Sequence, residues 1–485
     1  MLNIYTKDLD LNTHEIFELA RAFYPDEEIV FNSDYSFNRI DICEDNNKYL
    51  LSLYRESKLL DREEIEVQSV NIYRDEKSTK KTALKKGLFF LLSRDVNYKL
   101  PWGILTGIRP VKIVEYLHSL GLSDERIYDV LIEEYQISDE KADLMMNVSR
   151  RQRPIIDSLK KNSYSLYVSI PFCPTRCLYC SFPTLTMNRY KDKVEGYLEA
   201  IKKEIIAIKE IMKDWEITTV YLGGGTPTSI SVSQMESLIV IIKENFNDIK
   251  EFTIEAGRPD TINYEYLELF KKYRIDRISI NPQTMVDSTL KLIGRQHNSQ
   301  DIVETYKMAK EIGIPTVNMD LIIGLPDEGL KELQYTLSKI KELDPDNLTI
   351  HTLSLKKGSR FLNEKEKYNI KDSNEIEKML IECGKFTKDM DLHPYYLYRQ
   401  KQILGNFENV GYSKVSNPCL YNVSIMEEKE TIIAVGMGGV SKFYNKDSSS
   451  IVRLSNFRDI DEYLSRVDEL ITAKKDNIIN IEKGH

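Results

Sequence analysis

Positive charge is sparse in this chain of 485 residues, in which 67 lysines and arginines face 76 aspartates and glutamates, for a formal net charge of −9. Proteins that bind nucleic acid cluster Lys and Arg against phosphates, and the one short basic stretch, 149–153, is more simply a solvated linker. Long apolar runs are also missing, since none approaches the ~18 residues that cross a bilayer. The sequence begins without a basic segment followed by an apolar one. We therefore expect a cytoplasmic protein with no nucleic-acid partner and no membrane span.

Cysteine is scarce as well, and the six present do not look like a secreted disulfide framework. Three of them form one motif, Cys173-x3-Cys177-x2-Cys180, at the end of a strand-like run. This spacing can bring three thiolates together around one small bound group, such as a metal ion or a metal cluster. A closed zinc site needs a fourth ligand, and no histidine lies between His118 and His297. An iron–sulfur cubane held by three cysteines leaves one iron open to a small molecule; the alternatives are a zinc site completed from elsewhere or three unrelated thiols.

The first 160 residues differ in pattern from the rest. Short β-like runs come first and helix-period stretches follow, which predicts an α+β accessory domain. The β-like runs are 28–31, 39–42, 49–54 and 65–67, and the helical stretches are 79–92, 111–120 and 124–135.

From Tyr164 onward, strands and amphipathic helices alternate. The predicted strands are 165–171, 217–223, 251–256, 277–282, 316–323 and 347–354. An apolar face predicts a helix near 191–212, and Ser233-x-x-Glu236 predicts a capping box for the next helix. Successive βα units imply parallel strands, in either an open doubly wound sheet or a barrel. Both architectures place ligands at the carboxyl ends of the strands.

Chemically distinctive residues stand at those strand ends. The cysteine motif follows the first strand, and Gly223-Gly-Gly-Thr-Pro-Thr228 follows the second. Glycines let a backbone approach a ligand without Cβ interference, so we expect the amide groups of this segment to bind a carboxylate or a ribose. The next four strands bring polar residues to the same rim: Glu255, Gln283, Asp320 and Ser354. One such residue would be an ordinary buried polar group, but their convergence predicts a ligand site.

The cysteine motif, with Tyr179 before its last cysteine, resembles the signature of radical SAM enzymes. Further segments across roughly 164–445 are similar, in order and spacing, to the oxygen-independent coproporphyrinogen III oxidase family. These segments are Tyr167-Val-Ser-Ile-Pro-Phe-Cys173, the triple-glycine segment, Ile254-Glu-Ala-Gly-Arg-Pro-Asp260, Arg277-Ile-Ser-Ile-Asn-Pro-Gln283, Gly294-Arg295 and Met319-Asp-Leu-Ile-Ile-Gly-Leu-Pro326. Tyr395-Tyr-Leu-Tyr-Arg-Gln-Lys401 and Asn409-Val-Gly-Tyr412 resemble the coproporphyrinogen dehydrogenase, or HemZ-type, branch with an extra amino-terminal domain.

The resemblance implies an α/β fold with three parts. They are an amino-terminal α+β accessory domain at 1–160, a partial (β/α)6 TIM-like radical SAM barrel at 161–400 and a carboxy-terminal extension of the oxidase-type core at 401–485. It also implies that Cys173, Cys177 and Cys180 hold a [4Fe-4S] cluster whose open iron chelates S-adenosylmethionine (SAM). The residues implied around this SAM are Tyr167, Gly224, Glu255 and Ser354, and those around a second SAM are Tyr179, Gly225, Thr226, Gln283, Arg295, Asp320 and Ile322.

The implied reaction is the oxygen-independent oxidative decarboxylation of two propionates of coproporphyrinogen III to vinyl groups. It gives protoporphyrinogen IX, in haem biosynthesis, through a 5′-deoxyadenosyl radical. The implied partners are this tetrapyrrole and a low-potential electron donor such as flavodoxin or ferredoxin. Radical hydrogen abstraction needs no general acid or base, so we assign no catalytic side chain and expect positioning in a dry cavity to dominate. Four propionates call for local cations, and the candidates are Arg176, Arg399, Lys401 and Arg453.

Three features depart from the founding oxidase of the family. Ser181-Phe182 stands where that enzyme has Gly-Cys, Ser169 stands where a histidine is usual, and a helix-like segment at 460–470 stands in place of a helical carboxy-terminal domain. Two alternatives therefore stay open: a haem chaperone of the same superfamily and a radical SAM enzyme that opens or methylates haem. The chaperone's His-Asn-x-x-Tyr-Trp motif corresponds to Tyr421-Asn-Val-Ser-Ile-Met426, which keeps only the Asn, although Cys419 or Met426 could act as an axial ligand.

Overall fold

Two structural units, Met1–Arg150 and Arg151–His485, make up the computed structural model of the chain. The structure describes residues 1–6, 13–33, 37–68, 72, 75–356, 358–400 and 403–483. The division into three domains expected from the sequence stays a prediction.

The first unit is built on a mixed five-stranded sheet with the order β2-β1-β3-β4-β5. Its strands are β1 (Leu2–Tyr5), β2 (Ile29–Phe31), β3 (Arg39–Asp45), β4 (Lys48–Arg55) and β5 (Lys58–Glu66), and its helices are α1 (Thr13–Phe23), α2 (Glu76–Val96), α3 (Val111–Ser119) and α4 (Asp124–Glu133). A fifth helix, α5 (Asp139–Asp157), begins in this unit and continues past its last residue, Arg150. Alternate residues of β4, such as Leu51 and Leu53, are buried with Leu88 and Leu92 of α2. The runs at 28–31, 39–42 and 49–54 and the three helical stretches are confirmed, whereas the run at 65–67 covers only the end of β5. Strand β1 was missed because four residues are too few to show an alternation, and α1 and α5 were missed as well. The linker interpretation of 149–153 is wrong, because this stretch lies in α5 and buries Ser149 and Gln152.

An eleven-stranded sheet forms the centre of the second unit, with the order β14-β15-β13-β12-β11-β10-β9-β6-β16-β17-β18. Two further short strands, β7 and β8, pair with each other. The strands are β6 (Ser163–Ile170), β7 (Phe172–Cys173), β8 (Leu185–Thr186), β9 (Glu216–Gly224), β10 (Glu251–Ile254), β11 (Arg277–Ser279), β12 (Thr316–Ile323), β13 (Asn347–Thr352), β14 (His393–Tyr398), β15 (Asn409–Ser413), β16 (Thr431–Val435), β17 (Val440–Asn445) and β18 (Ser450–Ser455).

Six strands, β6 and β9 to β13, are parallel neighbours in chain order, as the partial (β/α)6 barrel prediction requires. All six predicted strands are therefore confirmed. The sheet extends beyond them at both sides. Strand β16 adds a seventh parallel strand next to β6, with β17 and β18 antiparallel outside it. Strands β15 and β14 continue antiparallel from β13.

Helices of the second unit connect these strands and cover the sheet. They are α6 (Met187–Tyr190), α7 (Val194–Ile211), α8 (Val232–Asn245), α9 (Tyr264–Lys272), α10 (Asp287–Leu292), α11 (Ser299–Ile312), α12 (Leu330–Leu343), α13 (Arg360–Asn363), α14 (Ser373–Asp389), α15 (Leu420–Glu427) and α16 (Ile460–Glu482). The predicted apolar face of α7 is buried: Val194, Tyr197, Leu198, Ile201, Ile205 and Ile208.

The predicted capping box of α8 is displaced by two residues. The helix begins at Val232, so Ser233 lies inside its first turn. Instead, the Ser231 hydroxyl accepts from the Gln234 amide at 3.3 Å, and the Gln234 side chain accepts from the Ser231 amide at 3.0 Å. The prediction failed because glutamine serves as well as glutamate at the third helical position. None of the helices in the described ranges is long and apolar enough to span a bilayer.

Candidate active site

One cavity of about 410 Å³ lies at the carboxyl ends of the parallel strands, and it collects nearly all of the predicted site residues. Ligand pockets of proteins usually have volumes of a few hundred Å³. The predicted residues that line it are Cys173, Cys177, Tyr179, Cys180, Gly224, Gly225, Thr226, Glu255, Gln283, Arg295, Asp320, Ile322 and Ser354. Tyr167 does not line it. Its ring stacks on Tyr221 and Tyr421, with centroids 6.1 Å away in both cases, one layer behind the cavity wall.

The cysteine loop starts from β7, whose last residue is Cys173, and β7 is held by pairing with β8. Cys173 is buried, and the Thr226 hydroxyl donates to its sulfur at 3.5 Å. Burial raises the pKa of the Cys173 thiol to about 11 and also raises the pKa of Cys180. Further along the loop, the Leu178 amide donates to the Ile293 carbonyl at 3.0 Å. The three thiols of the motif are therefore presented together on the cavity wall.

A buried charged network that was not predicted supports this loop. Arg258 donates to the Thr175 carbonyl and hydroxyl at 3.1 and 2.9 Å. The same guanidinium binds Asp260 through two hydrogen bonds, of 3.1 and 2.8 Å, and His297 contacts that carboxylate at 2.9 Å. Although burial opposes it, hydrogen bonds from His297 and Arg258 lower the pKa of Asp260. The signal was present in the sequence, because Arg258 and Asp260 both belong to the family-like segment that follows β10.

The triple-glycine segment packs against the strand that leads into the cysteine loop. A Cβ on Gly225 would lie 2.6 Å from the Phe172 carbonyl oxygen, and Gly224 has φ +107°, a conformation that favours glycine. The expectation that the amides of this segment bind a ligand is wrong for two of them. The Gly225 and Thr226 amides each donate at 2.8 Å to the Ile170 and Phe172 carbonyls. The glycines therefore serve close backbone packing next to Cys173.

Glu255 follows β10 and lies on the cavity wall. Its carboxylate accepts from the Tyr221 hydroxyl at 2.6 Å and from the Gly224 amide. Burial raises the pKa of Glu255 from 4.5 to about 7, and nearby Asp320 adds to this effect. Glu255 is thus an acid whose protonation state changes near neutral pH in the cavity.

Asp320 stands at the centre of a polar group on neighbouring strands. It accepts from the Asn281 and Asn318 side chains at 2.7 and 2.8 Å, and the His351 Nε2 lies 3.8 Å from its carboxylate. Burial acts to raise the pKa of Asp320, but hydrogen bonds, first of all with His351, lower it overall. The other ring nitrogen of His351 lies 3.2 Å from the Tyr398 hydroxyl.

Several of these cavity residues were missed, although β12 and β13 carry a period-2 signal for them. Asn318, Asp320 and Ile322 alternate along β12, and Thr349 and His351 along β13, so each set points to the same face. The alternation could have identified His351 from the sequence. Tyr396 and Tyr398, which come from the antiparallel strand β14, also line the cavity.

The residues present fit a cluster and a polar ligand. The three motif cysteines are free thiols, and thiolates are the ligands that iron–sulfur clusters prefer. Two buried polar atoms of the cavity, Arg295 Nε and Asn281 Oδ1, have no hydrogen-bond partner within the described residues. The rest of the Arg295 guanidinium donates to the Gly257 carbonyl and the Tyr179 hydroxyl, both at 3.0 Å. Buried groups of this kind require a partner, which a bound molecule with amino, carboxylate or ribose groups supplies.

The other sequence candidates lie in different surroundings. Arg176 lines the cavity. Arg399 is buried and donates to the Asn406 carbonyl at 2.8 Å, and Arg453 pairs with Glu428 at 2.8 Å on the edge strand β18. Lys401 lies outside the described residues. Of the proposed axial ligands, Met426 lines the cavity, whereas Cys419 is buried elsewhere and donates to Glu251 at 3.3 Å.

The parallel barrel strands, the three-cysteine loop and the polar cavity define a radical SAM protein. Residues 167–340 match the family model described as Radical SAM superfamily, and homologues of this class bind a [4Fe-4S] cluster and SAM. Over 391 residues, 79% of this chain and 78% of the relative, the sequence is 43% identical to the oxygen-independent coproporphyrinogen-III oxidase-like protein HemZ of Bacillus subtilis (strain 168). The chain belongs to the family of these oxygen-independent coproporphyrinogen-III oxidase-like proteins.

Two further similarities bear on fold and function. The haem chaperone HemW of the same bacterium is 30% identical over 262 residues, 52% of this chain and 65% of the relative. The structure of the coproporphyrinogen III oxidase HemN from Escherichia coli, a radical SAM enzyme, aligns with a TM-score of 0.53 and 22% identity. The alignment covers 66% of this chain and 72% of that one. At this identity the structural likeness supports the α/β radical SAM fold alone.

Proposed function

We propose that this protein converts coproporphyrinogen III to protoporphyrinogen IX without oxygen. In each of two propionates, the β-carbon loses a hydrogen atom to the 5′-deoxyadenosyl radical, and carbon dioxide then leaves while one electron passes to an external one-electron acceptor, so that a vinyl group remains. The observation that carries the proposal is the convergence of the cysteine loop and the polar strand ends on one cavity, in a chain 43% identical to a coproporphyrinogen-III oxidase-like protein.

The chain's own residues would hold and orient the reactants. Cys173, Cys177 and Cys180 would ligate the cluster, and the unpartnered atoms of Arg295 and Asn281 would hydrogen-bond SAM. When bound, the cluster and SAM supply the hydrogen-abstracting radical, with electrons from a low-potential donor such as flavodoxin or ferredoxin. The protein contributes mainly geometry, since this chemistry requires no general acid or base.

Phe182 sets a condition on this proposal. It lines the cavity where the founding oxidase has a cysteine, and within the described ranges the cavity holds no cysteine besides the three of the motif. Decarboxylation here would therefore proceed without a fourth thiol. Ser169, in place of the usual histidine, donates to the Met437 carbonyl at 2.8 Å and is buried, so it supports a turn of the backbone.

The test is anaerobic turnover of the reconstituted protein with dithionite, SAM and coproporphyrinogen III. Protoporphyrin and 5′-deoxyadenosine are measured together by chromatography. We expect both products from the wild type and from Cys43→Ala, which removes an exposed cysteine of the first unit, and neither from Cys173→Ala. Deoxyadenosine without protoporphyrin would keep radical chemistry and reject this substrate, which would favour the reading in which haem is opened or methylated.

Haem binding is the second candidate, and the likeness to HemW together with Met426 on the cavity wall supports it. Thioethers are known axial ligands of haem iron. A haem titration followed by absorbance distinguishes the two functions. Tight haem binding that is lost in Met426→Ala, with no turnover of coproporphyrinogen, would favour the chaperone over the oxidase.

A further inference from the structure

Four cations line the cavity in the described part of the chain, and two of them, Arg258 and Arg295, are held by several hydrogen bonds. Arg258 is held by Asp260 and Thr175. Arg295 donates to Gly257 and Tyr179, and its Nε has no hydrogen-bond partner among the described residues. The other two, Arg176 and Lys356, line the same cavity and have fewer hydrogen bonds.

Lys356 has a fixed backbone and an unengaged side chain. Its amide donates to the Ser354 carbonyl at 3.1 Å, and its own carbonyl accepts from the Ser359 amide and hydroxyl at 3.1 and 2.9 Å. Ser359 also caps α13, in which the Phe361 amide donates to the Leu178 carbonyl of the cysteine loop at 3.1 Å. The ammonium group has no hydrogen-bond or ion-pair partner in the described ranges. The protein therefore positions this cation firmly but does not neutralise it.

Arg176 is hydrogen-bonded to the segment that carries Lys356 and is partly engaged. One nitrogen, Nη2, donates to the Gly358 carbonyl at 2.9 Å and to the Cys180 carbonyl at 3.4 Å. These bonds join the cysteine loop to the segment that carries Lys356, and they leave Nε and Nη1 without a partner among the residues that the structure describes. The guanidinium is thus oriented by the backbone, with two donors still available.

The carboxylates of the cavity do not neutralise these cations. Glu255 accepts from Tyr221, and Asp320 accepts from two asparagines. An unpaired ammonium beside a half-satisfied guanidinium is a site for an external carboxylate, because charge-assisted hydrogen bonds to ionised groups are the strong ones. The nearby Phe182 ring is 60% exposed on the same wall and offers an apolar surface to the body of such a ligand.

We infer that Lys356 and Arg176 bind a carboxylate of the substrate, and this inference rests on the proposed function, in which the substrate is a tetrapyrrole with four propionates. The pair would anchor one propionate at the cysteine-loop side of the cavity, with Phe182 against the macrocycle. Lys356 and Arg176 are then substrate-positioning residues. The carboxylate of SAM is the competing ligand of the same chemistry, so the test must distinguish the two.

The test uses coproporphyrin III as a stable probe, with its tetramethyl ester as the matched ligand that lacks carboxylates. Anaerobic equilibrium dialysis of the cluster-reconstituted protein gives both affinities. We expect Lys356→Gln to bind coproporphyrin III about tenfold or more weakly, to bind the ester as the wild type does, and to be rescued in large part by Lys356→Arg. Lys365→Gln is the control, since Lys365 is exposed on the same connection and does not line the cavity.

Equilibrium dialysis with labelled SAM shows whether the site binds the carboxylate of the substrate or the carboxylate of SAM. Unchanged SAM affinity in Lys356→Gln is the expected result, and a loss of SAM binding with normal porphyrin binding would overturn the inference. An equal loss of affinity for coproporphyrin III and for its tetramethyl ester would also overturn the inference. The ester has no free carboxylate, so the loss would then reflect packing against the ligand. If Lys356→Gln does not fold, Lys356→Arg provides the comparison, with a near wild-type affinity expected and a large loss contradicting the inference. The proposed function and this inference can fail separately. If the wild type makes protoporphyrin but Lys356→Gln binds coproporphyrin III normally, the proposed function stands and this carboxylate site is rejected.

Discussion

Gly225 offers a direct test of how the triple-glycine segment supports the cysteine loop. In Gly225→Ala, the added Cβ would lie 2.6 Å from the Phe172 carbonyl oxygen and 2.8 Å from the Pro171 carbonyl carbon and oxygen. All of these are backbone atoms one and two residues before Cys173, so no side chain can rotate away. Relief requires a backbone shift, and overpacking of this kind costs about 1–3 kcal/mol. We expect the free energy of unfolding to fall by about that amount and the cysteine loop to move.

The chain provides a matched control for the same chemical change. Gly196 lies in α7, is exposed, and has nothing within 4 Å of an added Cβ. Alanine in an exposed helix is better than glycine by roughly 1 kcal/mol, so Gly196→Ala should stabilise the protein. The two glycine-to-alanine changes should therefore move stability in opposite directions.

The assay combines urea unfolding with iron content after anaerobic reconstitution. All proteins carry Trp102→Phe, so that the fluorescence of Trp215, the remaining one of two tryptophans, reports on the second unit alone. We expect Gly225→Ala to unfold at lower urea and to retain less iron per chain than Gly196→Ala. Wild-type stability and full iron content in Gly225→Ala would refute the argument that this glycine positions the cluster loop.

Three other changes follow from the charged groups of the second unit. Arg258→Gln removes the buried cation that pairs with Asp260 and leaves that carboxylate with His297 alone, so we expect a loss of about 3 kcal/mol in urea unfolding and reduced iron content; wild-type values would refute the supporting role. Burial raises the pKa of Glu255 from 4.5 to about 7 in the folded protein. Below pH 4.5 the side chain is protonated in both the folded and the unfolded state and costs little stability. The free energy of unfolding then falls as pH rises through 7, where the buried carboxyl ionises. Glu255→Gln should accordingly raise the melting temperature more at pH 8 than at pH 5, and an equal shift at both would contradict the assigned pKa. Lys474→Met removes the cation that pairs with Glu204 in an ion pair buried on both sides. Calorimetry should show a loss of about 3–5 kcal/mol in the free energy of unfolding, and a change below about 1 kcal/mol would refute this expectation.

The strand ends were predictable because the sequence pattern and the parallel topology act together. Alternating βα units place successive carboxyl ends side by side, so Glu255, Gln283, Asp320 and Ser354 were expected at one rim, where the structure has them. Their surroundings were not predictable in the same way. Asp320 accepts from Asn318 on its own strand and from Asn281, which follows the neighbouring strand β11, and the register between strands is set by packing that the local sequence does not encode.

Tyr167 and the glycines show where residue-by-residue reasoning fails. The resemblance implies Tyr167 around the SAM, but this residue does not line the cavity: Tyr221 and Tyr421 stack against its ring, and Tyr221 lies on the cavity wall. The amides of Gly225 and Thr226 were expected to be free, but they pair with the strand before the cysteine loop. In both cases the deciding contact joins segments more than 50 residues apart, which a local pattern cannot show.

The charge of the cavity is opposite in sign to the charge of the chain. The chain carries −9 overall, yet its described cavity wall has four cations, Arg176, Arg258, Arg295 and Lys356, against the carboxylates of Glu255 and Asp320. The carboxylates have donors of their own, and only Arg258 among the cations is matched by an acid, so the unbalanced positive charge is shared by Arg176, Arg295 and Lys356. An anionic substrate would thus be repelled by the surface at large and attracted at this wall. Added salt weakens both effects, and it screens the long-range repulsion more than the short-range contacts at the wall. We therefore expect the affinity for a tetracarboxylate porphyrin to depend less on salt than its association rate does.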